Sequence, residues 1–241
     1  MDSLKGIISD IRVFLYGGVL TLPLTIAGTL AILGLFTANY AILFFLVGFL
    51  ILTPLSATLL NFSLGAIFVG SSFNPFKAKT SDICKLVIPY STLKSPVGIT
   101  EETVVASSWV AMISFFIGYI FTNALQLYGR ESDDTTIKVT STSASDINTM
   151  VTNRKSQAII AMISIIVFAF VVLAFRYYTG CESTVGMILT SIIFVFSGHG
   201  WYKALSKVGQ DRLSDLFGIA NRLLTPGAIN NSPIACVPIP S

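Results

Sequence analysis

Chemistry in this chain would have to start from very few groups, because it holds one histidine and three cysteines. His199 lies between Gly198 and Gly200, two residues after Ser197. A zinc site takes three or four ligands, and no cluster of His, Cys, Asp or Glu surrounds His199 in sequence. Ser197 lies in no G-x-S-x-G elbow, and two residues of separation do not make a nucleophile and its base. Cys84, Cys181 and Cys236 form no C-x-x-C pair. Cys84 and Cys181 fall on one side of the chain's expected topology and Cys236 on the other, which leaves both a Cys84–Cys181 bridge and three reduced thiols open. There is no Walker A loop and no dinucleotide fingerprint. The residues point to no catalytic site, no cofactor and no metal, and the expectation is a protein that is not an enzyme.

The elements that would position such groups explain the shortage. Hydrophobic residues make up 53% of the 241, charged residues 11%, and the mean hydropathy is +0.78. A soluble domain carries about 25% charged residues, so this chain cannot cover a water-facing surface. From Val13 to Phe76 no Lys, Arg, Asp or Glu interrupts 64 residues. A helix rises about 1.5 Å per residue, so roughly 20 apolar residues cross a bilayer core of ~30 Å. The charge-free runs predict an all-α integral membrane protein of about five transmembrane helices, with four as the alternative. The spans fall at about 13–36, 40–61, 104–126, 157–175 and 183–202 within a transmembrane domain of residues 1–202. The short join Thr37-Ala38-Asn39 predicts an antiparallel hairpin of the first two spans, and 62–76 reads as an interfacial or re-entrant piece. Charged residues in the first twelve positions and a long apolar run behind them predict that the first helix is retained rather than cleaved. Lysines and arginines divide seven against eight between the two sides, which sets no orientation. A net charge of +3 with no basic stripe argues against specific nucleic-acid binding.

Within the spans the pattern offers packing. Ala27, Ala31, Gly34 and Ala38 recur at steps of four, three and four, a small-residue face that lets helices approach closely. Gly17-Gly18 and Pro23 permit a bend in the first span. Tyr177-Tyr178 and Trp201-Tyr202 flank Arg176 and Lys203 in the manner of interfacial anchors.

Three segments lie outside the expected spans. In 77–102, Lys77, Lys79, Lys85 and Lys94 suit a membrane-surface loop, each worth about 1 kcal/mol on an anionic leaflet. The segment 130–155 is rich in Ser and Thr and reads as a hairpin or a loop. In 203–241, apolar residues from Leu205 to Leu224 trace an amphipathic helix, and a Pro-rich extended strap follows Pro226-Gly227. Its apolar and proline-flanked side chains (Leu213, Leu216, Phe217, Arg222, Pro233, Cys236, Pro238) are the candidates for docking on a partner protein.

The same tail carries a resemblance. Trp201-Tyr202-Lys203, Gly209-Gln210-Asp211-Arg212, Asp215-Leu216-Phe217-Gly218-Ile219, Arg222 to Ala228 and Pro233 to Pro238 resemble the carboxy-terminal pattern of multi-span membrane proteins of large nucleocytoplasmic DNA viruses, the group that includes chlorella viruses. Val208 stands where that pattern carries a cysteine. The resemblance spans about 40 residues and brings no catalytic residue. It implies a structural protein of a virion's inner membrane, whose loops and tail tether the bilayer to capsid or other virion proteins, with homo-oligomerisation open. The alternative reading is a small multi-pass transporter or channel.

Overall fold

The computed structural model describes residues 17–68, 75–76, 105–129, 144–178, 182–209 and 213–216. Among them all regular structure is helical: α1 (Leu22–Phe36), α2 (Tyr40–Val47), a π-helical turn (Gly48–Leu52), α3 (Thr53–Phe68), α4 (Ser108–Gly129), α5 (Ala144–Tyr178) and α6 (Thr184–Gly209). Four stretches are long and apolar enough to cross a membrane: Tyr40–Ile67, Ser108–Gly129, Thr152–Tyr178 and Thr184–Gly209. The architecture is that of an all-α membrane protein. The expected first span contributes a shorter helix. A helical turn at 17–20 precedes α1 and the two are separated at Thr21, because Pro23 in the first turn of α1 has no N–H for the carbonyl of Val19.

The chain runs up and down. We call the end where α1 starts proximal and the other distal. At the distal end α1 closes on a left-handed Ala38 (φ 50°), with Asn39 N–H donating to Gly34 O at 3.0 Å and Ala38 N–H to Leu35 O at 3.3 Å. That is the Schellman pattern. Asn39 then caps α2 by accepting from Ala41 N at 3.0 Å. Ala38, exposed in this turn, therefore leaves the small-residue face on which its spacing placed it. Ala27 and Gly34 are buried and Ala31 is half-buried. Gly34 faces Ile42 and Leu43 of α2.

The second span differs from the sequence reading. No break follows Asn61, and the helix runs on through Phe68, so the part of 62–76 up to Phe68 continues the span instead of lying at the interface. The irregularity sits earlier, where Pro54 cannot donate to the carbonyl of Leu50. The helix absorbs this as a π turn, with the backbone N–H and the hydroxyl of Thr53 both turning to Gly48 O, the hydroxyl at 2.9 Å.

The other elements also outrun their expected bounds. With neither Gly nor Pro between Ala144 and Tyr178, α5 takes the last residues of the Ser/Thr-rich segment into its first turns. Likewise α6 passes 202 without interruption and ends at Gly209, so the amphipathic stretch begins as a continuation of the last span. The lysines Lys77, Lys79, Lys85 and Lys94, the cysteines, and Phe217, Arg222, Pro233, Cys236 and Pro238 lie outside the described residues.

α4 is the centre. Trp109 to Phe115 are all buried, and α4 contacts α5, α6, α3 and the π turn. Phe45 anchors the middle of the core, with its ring 4.8 Å from Tyr119, 5.4 Å from Phe49 and 6.0 Å from Phe115. Where α4 crosses α6 there is no room for side chains. A Cβ on Gly118 would overlap the Val195 carbonyl, and one on Gly198 would overlap the Phe115 carbonyl. The outward faces are apolar, including Ile163, Val167 and Phe170 of α5 and Ile188, Ile192 and Phe196 of α6.

Gly118→Ala and Gly198→Ala should each destabilise the folded chain by about 1–3 kcal/mol through overpacking. Gly200→Ala, with open space where the methyl would go, should be neutral or slightly stabilising. Thermal unfolding of the three variants in one detergent checks the contrast.

Candidate functional site

Polar side chains gather at the two ends of the bundle, and several at the proximal end replace a hydrogen bond that the backbone has lost. At the proximal end the indole N–H of Trp109 donates to Val19 O and Leu20 O, both at 3.1 Å, supplying Val19 O with the donor that Pro23 lacks. Asn61 Oδ1 accepts from Val105 N at 3.0 Å and Ala106 N at 2.7 Å, fixing the entry to α4. Thr190 donates to Val105 O at 3.2 Å. The Arg176 guanidinium lies 5.0 Å from the Trp109 ring and pairs with Glu182 at 3.1 Å, both side chains only 5% exposed. Ser183 caps α6 by accepting from Gly186 N at 3.0 Å. Burial pushes the Glu182 carboxyl above its ordinary 4.5, and the nearby Arg176 and Ser107 offset only part of that rise.

The distal end is more open. His199 Nδ1 is 3.0 Å from Thr122 Oγ1. The Thr122 hydroxyl also donates to Gly118 O at 2.6 Å, which ties it to its own helix beside the ring. The Tyr202 hydroxyl donates to Asn123 Oδ1 at 3.5 Å, and its ring packs edge-on to Tyr119 at 5.3 Å. Tyr202 is therefore buried in the bundle, where its place beside Lys203 had suggested an interfacial anchor. Trp201 likewise reaches inward, donating to Phe44 O at 3.2 Å over Gly48. Tyr177 and Tyr178 are exposed. Between α4 and α6 a half-open cleft of about 390 Å³ is lined by Thr122, Asn123, His199 and Tyr202 together with Gln126, Lys203 and Asp215.

Residues 213–216 form the roof of this end. The Tyr119 hydroxyl donates to Ser214 O at 2.9 Å, Asn39 Nδ2 to Leu216 O at 3.5 Å, and Leu216 is wholly buried in the core with Leu213 packed against it. Leu213 and Leu216 were candidates for docking on a partner. Leu216 is buried against the chain's own helices, and Leu213 is half-buried beside it. The signal for this was Tyr119, a hydroxyl inside a charge-free run that needs an acceptor when buried.

Among the described residues no three His, Cys, Asp or Glu side chains come together as metal ligands. Comparison with family models, curated proteins and solved structures finds no match to this chain. The class is defined by the fold alone: a multi-span helical membrane protein with a locked proximal end and a cleft at its distal end.

Folded Glu182 holds its proton more tightly than the unfolded chain does. Its contribution to stability is thus full below the ordinary carboxylate pKa and is lost as pH rises through the raised folded value. Native chain should lose thermal stability across that window, and Glu182→Gln, which cannot ionise, should show a flatter profile over the same pH range.

Proposed function

We propose that this chain is a non-enzymatic structural protein of a membrane, holding the bilayer against a neighbouring protein layer through its C-terminal segment. The observation that carries the reading is the fastening of that segment's root. The Tyr119–Ser214 bond and the buried Leu216 tie residues 213–216 to α4, so a pull on the residues beyond passes directly to the central helix. A tail that only rested on the headgroups would have no use for such a fastening. The resemblance of the tail to those of virion membrane proteins supports a setting in a virion's inner membrane, with capsid or other virion proteins as the layer held.

A transporter has the distal cleft in its favour. The contact of α4 and α6 backbones at Gly118 and Gly198 lies just below that cleft, which weighs against a continuous path between those two helices.

The test is truncation after Leu216, which spares the fastening. The shortened chain should insert into membranes and keep its melting temperature, yet fail to co-purify with shell proteins from assembled particles. Unchanged co-purification would defeat the tether reading. Solute or ion flux in proteoliposomes above that of empty vesicles would favour the transporter instead.

A further inference from the structure

We propose that the distal cleft binds the headgroup of a phospholipid carrying a primary ammonium, of the phosphatidylethanolamine kind. This inference does not rest on the tether reading, since it concerns how the bundle meets its own bilayer.

Position comes first. The cleft opens where the charge-free runs of two spans end, at Gly129 on α4 and at Tyr202 on α6. That is the level at which lipid headgroups lie. Its volume, about 390 Å³, is near the low end of small-molecule pockets and suits a headgroup better than a whole lipid.

Chemistry narrows the choice. Among the described lining residues Lys203 is the cation, and its exposed ammonium suits a phosphate oxygen. Most of the remaining polar lining accepts hydrogen bonds. Asn123 and Gln126 bring side-chain amide oxygens that can accept hydrogen bonds. Asp215 brings a carboxylate. One cation beside several acceptors matches a ligand with a phosphate and an N–H-rich ammonium. A choline headgroup has no N–H to give.

The apolar part of a lipid has a place as well. Ile188, Ile192 and Phe196 are exposed on α6 at steps of four, in helical line with His199 and Lys203. Leu125 is exposed on the α4 side of the cleft. An acyl chain descending from the headgroup would run along this row.

Native mass spectrometry of the full-length chain, in micelles holding equal amounts of phosphatidylethanolamine and phosphatidylcholine with identical acyl chains, tests the site. Phosphatidylethanolamine should be retained about tenfold over phosphatidylcholine, the scale of one added charged hydrogen bond. Lys203→Gln should lower retention of both lipids together, since both carry the phosphate, with an unchanged melting temperature, and Lys203→Arg should keep that retention; Asp215→Asn should shrink the preference itself. Equal retention of the two lipids by the native chain, or undiminished retention of both in Lys203→Gln, would overturn the proposal. Soluble phosphoethanolamine at the lipid's concentration should not displace the lipid. Displacement would assign the cleft to a free phosphate ester and overturn its assignment to lipid.

Discussion

Two glycines facing each other's backbone carry the architecture. In lipid there is little hydrophobic force between helices, so association rests on close packing and on hydrogen bonds that lipid cannot offer. Gly118 and Gly198 let α4 and α6 touch main chain to main chain. Once that contact is made, α4 is walled in by α6 on one flank, and the aromatic side chains of α2 and the π turn fill the other. Tyr119 can then stand between Phe45 and Tyr202 with its hydroxyl on Ser214. Both the cleft and the fastened turn above it follow from where this crossing falls.

A second constraint, the absence of water, accounts for the polar residues. Three irregularities of the described backbone are each met by a side chain: Trp109 for the carbonyl left by Pro23, Thr53 for the π turn before Pro54, and Asn61 for the loop entering α4. Hydroxyls on lipid-facing surfaces return to their own helix, as Thr25 does to Thr21 O and Thr29 to Thr25 O. Among the described residues two arginines, Arg154 and Arg176, are buried on α5, near its opposite ends, and Arg176 has an acid beside it. Arg176 sits at a span end, stacked on Trp109 and hydrogen-bonded to Glu182, and offsets part of what burial costs that carboxyl.

The helical class and the hairpin at Thr37–Asn39 were legible from the absence of charge and the shortness of one join. Boundaries were less so. Charge-free length locates an apolar core, yet helices such as α5 and α6 continue past it until a glycine or a chain reversal stops them. The crossing glycines were visible as residues, but Gly118 among bulky neighbours has no meaning until α6 is laid against it. The regular spacing of Ala27, Ala31, Gly34 and Ala38 drew attention to α1 instead, and Ala38 belongs to a turn. Likewise the tail's apolar residues look the same whether they meet a partner or fold back. The placement of Tyr119 and Asn39 is what shows Leu216 turned into the bundle.

Tryptophan fluorescence in vesicles of brominated lipid reads the central claim most directly, because one of the two tryptophans lies on the central helix. In a Trp201→Phe chain the remaining Trp109, 1% exposed under Arg176, should be quenched weakly. A tryptophan placed at Phe170 on the outward face of α5, with Trp109 also replaced by Phe, should be quenched strongly. Equal quenching at both positions would contradict a central α4 enclosed by its neighbours in lipid.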